Sequence, residues 1–268
     1  MNRLRKRFAS AGGGFRKGLL PYVTAGYPDL ETTVAILEAL DGAHCACAEL
    51  GIPFSDSIAD GPVIQTSFSR ALDAGFRLDA LLDALHAGRA RIAVPLVAMV
   101  SYSVVYRRGP AEFLRRAQRA GIDGVIVPDV SIEEANELAT AGRDADCPVV
   151  LIAAPNSTPA RRARIAALSE PFIYYQSVAG VTGERRSLAE DLAQNVAALR
   201  GAGKPVCVGF GISSAEQVQA VCRVADGAIV GSAIVRRMND LVDRGAGRDE
   251  IVAVVNGLVA ALARGVDG

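Results

Sequence analysis

The chain has 268 residues, half of them hydrophobic, and a mean hydropathy of +0.25. That length fits one barrel of about 250 residues or two small domains, with enough apolar material for a large core. Its 29 basic residues balance 29 acidic ones, so no global field draws it to nucleic acid or a membrane surface, and no apolar run approaches the roughly 18 residues of a transmembrane helix.

Arg3, Arg5, Lys6, Arg7, Arg16 and Lys17 all precede the first acid, Asp29. Gly12-Gly13-Gly14 interrupts this basic stretch and an apolar signal core is missing. A short solvated helix covering one end of the fold is therefore favoured over a transit peptide. Leu19 to Thr24 reads as the first strand, and Gly26, Pro28 and Asp29 break it before a helical pattern over Leu30 to Leu40. Cys45 to Leu50 is a weak strand of small residues. Pro62 to Ala74 and Leu78 to Ala90 read as helices split by Gly75, and Ile92 to Met99 as a strong strand. Pro110 can open a helix at its first position, running to Ala120. Gly124 to Val127 is a strand stopped by Pro128-Asp129, and Ser131 with Glu134 has the spacing of a capping box for the next helix. Val149 to Ala154 is a strand, and Thr158-Pro159 starts an Arg-rich helix. Phe172 to Ser177 is a strand, followed by the loop Ala179 to Gly183 and a helix over Leu188 to Leu199. Pro205 to Val208 is a strand ending at Gly209-Phe210-Gly211, and Ser213 with Glu216 suggests a second capping box, for a helix to about Arg223. Ala228 to Val230 is the last strand, ending at Gly231-Ser232, before a short helix from Ala233 and a final one from Arg248.

These are eight strands, mostly alternating with helices, and no linker divides residues 1–268. The expectation is a single-domain α/β protein, a (β/α)8 TIM barrel in preference to a doubly wound sheet. It carries an additional N-terminal helix and a short phosphate-binding helix after strand 8.

Five cysteines (Cys45, Cys47, Cys147, Cys207 and Cys222) are an odd number without a C-x-x-C pair. They read as buried small hydrophobes in a reducing cytoplasm, with Cys45 and Cys47 expected on one strand face, and no metal site is indicated. With only His44 and His86 in the chain, a Ser-His-Asp hydrolase is poorly supported and carboxylates must do most acid–base work.

Glu49 and Asp60 bracket a loop rich in Gly, Pro and Ser. A carboxylate at a strand end and another in the following loop can point into one mouth as an acid–base pair. Barrel chemistry lies at the C-terminal strand ends, which brings Glu49, Asp60, Tyr102, Asp129, Asn156 and Tyr174 near one mouth. The late glycine-bearing segments Val181-Thr182-Gly183, Gly209-Phe210-Gly211 and Gly231-Ser232 let backbone N–H groups approach an anion, and Ser232 precedes a helix whose N-terminus favours negative charge. A phosphorylated small molecule follows, with retro-aldol cleavage, isomerisation and epimerisation all open. Lys204 lies before a strand rather than at its end, which disfavours an imine-forming aldolase.

The run Glu49 to Asp56, with Ala59-Asp60-Gly61-Pro62 and Ile64-Gln65, resembles the signature of the tryptophan synthase alpha subunit family. Pro21 to Pro28, Val181-Thr182-Gly183, Gly209 to Ser213 and Gly231 to Val235 fit the same family in order. The resemblance implies cleavage of indole-3-glycerol phosphate to indole and glyceraldehyde 3-phosphate, without cofactor or metal. It assigns Glu49 as general acid/base, Asp60 as the carboxylate at the indole nitrogen, and Tyr174 as the aromatic neighbour of Glu49. It makes Tyr22, Val100, Tyr102, Val127 and Asp129 pocket positions, and Thr182, Gly183, Gly211, Gly231 and Ser232 phosphate contacts. The departures are Ser57 for a proline, Phe68 and Val104 for asparagines, and His44-Cys45-Ala46 for Gly-Ala-Asp. Ser57, Phe68 and Val104 are expected where the family's loops face its beta subunit, and the His44 run lies near strand 2. Two settings follow: a stand-alone lyase that releases free indole, or a conventional alpha subunit that channels indole to a pyridoxal-phosphate beta subunit. Intact Glu49 and Asp60 count against a non-catalytic regulatory subunit.

Overall fold

In a β-strand successive side chains face opposite sides, and in this chain both sides are buried. The computed structural model describes residues 2–9, 14–40, 45–57, 60–177, 185–209 and 211–266, and the side chains of all of these but 185–190. Among the described residues nine strands, β1 (Gly18–Thr24), β2 (Ala48–Gly51), β3 (Leu96–Met99), β4 (Gly124–Ile126), β5 (Val149–Val150), β6 (Ile152–Ala153), β7 (Ile173–Gln176), β8 (Val206–Gly209) and β9 (Gly227–Val230), form one sheet. Its order is β5-β4-β3-β2-β1-β9-β8-β7-β6, and every neighbouring pair is parallel. Only Leu151 separates β5 from β6, so the two ends of that order meet and the sheet curls into a TIM barrel.

The stretch expected as one strand, Val149 to Ala154, is thus two short pieces serving different neighbours. Val149 and Val150 pair with Val125 and Ile126, whereas Ile152 and Ala153 pair with Tyr174 and Tyr175. At the break the Leu151 amide donates to the Ser169 hydroxyl (2.8 Å), and its carbonyl accepts from the Tyr174 amide (3.2 Å).

Twelve helices are described: α1 (Arg3–Phe8), α2 (Leu30–Ala39), α3 (Pro62–Asp73), α4 (Leu78–Gly88), α5 (Tyr102–Arg108), α6 (Pro110–Arg119), α7 (Ala135–Asp144), α8 (Pro159–Leu168), α9 (Arg185–Arg200), α10 (Ala215–Val224), α11 (Ser232–Asp243) and α12 (Arg248–Ala263). The outward strand residues, such as Val23, Leu50, Ala98, Val125 and Val208, join Leu37, Leu81, Phe113 and Met238 of the helices in the larger core. The inward residues Leu20, Cys47, Val97, Ile126, Val150, Cys207 and Ile229 form a separate core with Phe172 and Tyr174. Leu4 and Phe8 of α1 complete that inner core, so the N-terminal helix stoppers the barrel at the end away from the strand C-termini. Asn2 caps α1 through its side chain and donates to the Asp123 and Asp146 carbonyls (3.0 and 2.9 Å). Arg3 donates to the Ile92 and Ala93 carbonyls, and Arg5 pairs with Glu170.

The same clasp occurs twice at this end. Asp123, just before β4, accepts from the Leu96 amide (2.9 Å) and pairs with Arg89. Asp226, just before β9, accepts from the Val206 amide (2.9 Å) and pairs with Arg200 (2.6 Å). Each buried acid ties its own strand to the preceding one and so helps to set the register.

Four local expectations change. Helix α5 was unexpected because Tyr102, Val104, Val105 and Tyr106 are aromatic or β-branched, poor helix formers. It forms because Ser101 caps it through its side chain and Asp129 accepts from the Tyr102 amide (2.7 Å). Helix α11 is 12 residues rather than short, since Ile234, Val235, Met238 and Leu241 build a buried stripe over three turns. The cap of α10 is Ser214, not Ser213, and Gln217, not Glu216, reaches back to the Ser213 amide (2.7 Å). Cys47 faces the barrel interior while Cys45 packs in the outer core, so the two do not share a face. All five cysteines are buried and none is in a disulfide. No helix among the described residues is long and apolar enough to cross a membrane, and none of their His, Cys, Asp and Glu side chains group as a metal site.

Candidate active site

Strand alternation decides which side chains enter the mouth. Tyr22 on β1, Glu49 on β2, Met99 on β3, Ile152 on β6, Tyr174 and Gln176 on β7 and Ile229 on β9 face inward and line a cavity of about 130 Å³. Asp60, Gly61, Pro128, Gly211, Ile212 and Gly231 from the loops above, with Ile64 of α3 and Ser232 of α11, complete its wall. The catalytic candidates Glu49, Asp60 and Tyr174, the pocket candidate Tyr22 and the phosphate candidates Gly211, Gly231 and Ser232 therefore share one cavity. Thr182 and Gly183 lie outside the described residues, as does His44.

Glu49 is only 2% exposed, and its Oε2 has no hydrogen-bond partner among the described residues. Burial, reinforced by the Asp60 charge, pushes its carboxyl up to about 8. Asp60 sits in the turn before α3, where its amide donates to the Ser57 carbonyl (3.1 Å). Being half-buried pushes it up to about 6. The two carboxyls are thus split, so that near neutral pH Glu49 holds a proton and Asp60 holds a charge.

Two glycines make room for the tyrosines. A Cβ on Gly51 would lie 1.8 Å from the Tyr22 Oη, and one on Gly209 would lie 2.4 Å from the Tyr174 Oη. Opposite Glu49, Gly211 holds φ +72°, a left-handed conformation that favours glycine. Gly231 caps α11 and its carbonyl accepts from the Ile234 and Val235 amides (2.9 and 3.0 Å), leaving the Ser232 and Ala233 amides at the head of that helix without i−4 partners.

A second cavity, of about 340 Å³, adjoins the first and shares Asp60, Met99 and Pro128 with it. It is lined by Ile52, Phe54, Asp56, Ser57, Phe68, Val100, Ser101, Ser103 and Asp129. Asp129 accepts from the Ser101 hydroxyl and the Tyr102 amide, both at 2.7 Å, and so pins the loop after β3 to the loop after β4. Tyr102 itself lines neither cavity; its ring packs against Tyr106. Val127 lines neither, because Ile126 faces inward and its successor must face the outer core. Asn156 is exposed and also lines neither cavity. Phe68 is 5% exposed and packs with Tyr22, Ile64 and Val235, so it presents no surface to a partner. Its i+4 spacing from Ile64 puts it on the inner face of α3.

Met99, Ile152, Gln176 and Ile229 were missed from sequence. Parity would have found three of them: Gln176 is two residues from Tyr174, Ile229 two from Gly231, and Met99 is the inward residue paired with Gly51.

Comparison with known proteins agrees with this geometry. A family profile described as tryptophan synthase alpha chain matches residues 8–262. The tryptophan synthase alpha chain of Rhodopirellula baltica is 45% identical over 248 residues, covering 91% of this chain and 89% of that one. That of Citrifermentans bemidjiense is 42% identical over 267 residues, covering 99% and 98%. Among solved structures, a mutant tryptophan synthase alpha-subunit from Pyrococcus furiosus superposes with TM-score 0.82 at 35% identity, covering 92% of this chain and 98% of that one. A tryptophan synthase complex from the same organism gives TM-score 0.81 at 34% identity and the same coverage. With carboxylates, glycine cradle and barrel all in one order along the chain, the protein belongs to the tryptophan synthase alpha chain family.

Proposed function

We propose that the chain cleaves indole-3-glycerol phosphate to indole and glyceraldehyde 3-phosphate, as a carbon–carbon lyase whose acid–base work is done by carboxyl groups. The observation that carries this reading is the buried Glu49 carboxyl beside Asp60, facing a glycine-built wall across one cavity. The first-turn amides of α11 with Gly211 and Gly231 receive the phosphate, joined by Thr182 and Gly183. The indole ring extends past Asp60 into the apolar second cavity, where Phe54, Phe68 and Val100 supply its walls.

The proton inventory suits the reaction. Glu49, protonated near neutral pH, gives its proton to indole C3. The positive charge that results on the ring nitrogen is met by ionised Asp60, an electrostatic stabilisation made where charge develops. The side-chain hydroxyl next to the ring then returns a proton to Glu49, its O–H electrons form the aldehyde C=O, and the C–C bonding pair restores the aromatic ring. Glu49 ends as it began. Tyr174, packed over Gly209 beside it, keeps water from the carboxyl.

The complex from Pyrococcus furiosus supports a beta subunit as partner, and we assign its docking to the loop after β2 and the start of α5, around Ser57 and Val104. The departures at these same two positions favour a second reading, a stand-alone lyase. Purified chain assayed for indole release with and without a cognate beta subunit separates them. Strong activation by the subunit selects the first, equal turnover alone selects the second, and no cleavage in either case overturns both. The buried cysteines, none of them in a disulfide, fit a reducing cytoplasm.

A further inference from the structure

Resting on the cleavage reading above, we propose that the Tyr22 hydroxyl is a catalytic hydrogen-bond donor to the substrate oxygen that becomes the aldehyde. Tyr22 and Glu49 are directly paired across the parallel strands β1 and β2, both facing inward. Tyr22 is 5% exposed, and its Oη has no hydrogen-bond partner among the described residues. Thr24 Oγ1 lies 2.6 Å from Ser67 Oγ, Ser67 donates to the Ile64 carbonyl (2.7 Å), and Thr24 also acts on the Tyr22 phenol, though not at hydrogen-bond geometry. The ring is not loose, since it lies over Gly51 and packs with Ile64, Phe68 and Val235. A buried donor left unpaired costs folding free energy, and such a group inside a cavity that also holds an unpaired carboxyl oxygen, Glu49 Oε2, points to a ligand.

The sheet order says which part of the ligand. Reading β8-β9-β1-β2 around the mouth, the anion cradle of Gly211, Gly231 and Ser232 stands on one side of β1 and Glu49 on the other. A substrate with its phosphate on the cradle and its ring carbon at Glu49 must carry its glycerol carbons across β1. Tyr22 is the β1 side chain that lines this crossing. Burial and the nearby Asp60 and Glu49 charges hold its phenol above the ordinary range, so it acts as a neutral donor and not as a base. No bond is made or broken at Tyr22. The substrate hydroxyl proton goes to Glu49, and as negative charge grows on that oxygen the phenol O–H donates to it, remaining bonded to the aldehyde oxygen formed.

The test is Tyr22→Phe, read three ways. For the glycerol substrate, kcat is expected to fall at least about tenfold with KM held within about threefold, the mark of an interaction made in the transition state. The melting temperature is expected to stay level or rise, because a buried unpaired hydroxyl has been removed. Affinity for indole-3-propanol phosphate, which lacks both glycerol hydroxyls, is expected to stay within about twofold of wild type. A kcat within about twofold of wild type overturns the proposal. So does loss of kcat together with loss of analogue affinity, since the hydroxyl would then only shape the pocket. Failure of the cleavage reading looks different: the wild-type chain itself would neither turn over the substrate nor bind the analogue, and the proposal would fall with it.

Discussion

The two ends of the barrel treat their polar groups in opposite ways. At the end stoppered by α1, Asn2, Asp123, Ser169 and Asp226 are buried and each is hydrogen-bonded, and the strand register is tied to them. At the other end Tyr22 Oη and Glu49 Oε2 are buried and have no hydrogen-bond partner among the described residues. One end spends its polar atoms on holding strands together. The other leaves these two atoms aimed into a cavity, at a cost in stability that only a ligand recovers. Stability and chemistry are thus separated along the barrel axis, as expected when function sits on the C-terminal strand ends.

The sharpest way to break this contrast is to disable the mouth. Glu49→Gln is expected to lower kcat by roughly a hundred- to ten-thousand-fold, measured as indole release, while circular dichroism stays that of the wild type. In the intact enzyme kcat/KM should be bell-shaped in pH. It falls on the acid side through about 6 as Asp60 takes up a proton, and on the alkaline side through about 8 as Glu49 loses one. A flat profile from pH 5 to 9, taken as a range of about four units around these values, would remove the carboxyl pair from the chemistry.

Glu49 also leaves a mark on folding. Its carboxyl is neutral in the folded chain up to about 8 but ionises in the unfolded chain near the ordinary value of about 4.3. Between those limits the folded state binds more protons, so stability falls as pH rises, by on the order of a few kcal/mol across the window. Denaturant titrations of wild type and Glu49→Gln at several pH values check this, because the variant should lose most of that slope.

At the stoppered end the expected effects are on stability alone. Asp226→Ala strands the Val206 amide and the Arg200 guanidinium, and should cost ~2–3 kcal/mol with kcat of the folded protein unchanged. Asn2→Ala removes the α1 cap and the bonds to the Asp123 and Asp146 carbonyls, and should cost ~1–2 kcal/mol. Urea melts paired with initial rates measure both. A fall in kcat in either variant would mean that the two ends are coupled.

Much of the architecture was legible because short apolar runs end at Gly, Pro or Asp, and Glu49 stands at the end of one such run. What escaped depends on partners distant in sequence. Helix α5 has weak intrinsic propensity and is held by Asp129 from another loop. The break at Leu151 depends on Ser169 eighteen residues away. Val127 is a matter of parity: a strand shifted by one residue exchanges its faces, so a position named from a motif can land on the wrong side. Tyr22 and Tyr174 could be named, but the depth of their hydroxyls rests on Gly51 and Gly209, which lie on neighbouring strands.

The break at Leu151 has a consequence for how the barrel opens. Hydrogen bonds join β1 through β5 as one arc and β6 through β9 with β1 as another, so the arcs share β1. On the opposite side no strand ladder joins them among the described residues: they meet through the peptide chain at Leu151, the Ser169 clasp and two backbone bonds, from the Glu170 amide to the Val149 carbonyl (2.9 Å) and from the Tyr174 amide to the Leu151 carbonyl (3.2 Å). Amide hydrogen exchange should register that line as a seam. Ser169→Ala is expected to speed exchange at Leu151 and its neighbours in β5 and β6 well before it does so at β1, where both arcs are bound to the same strand.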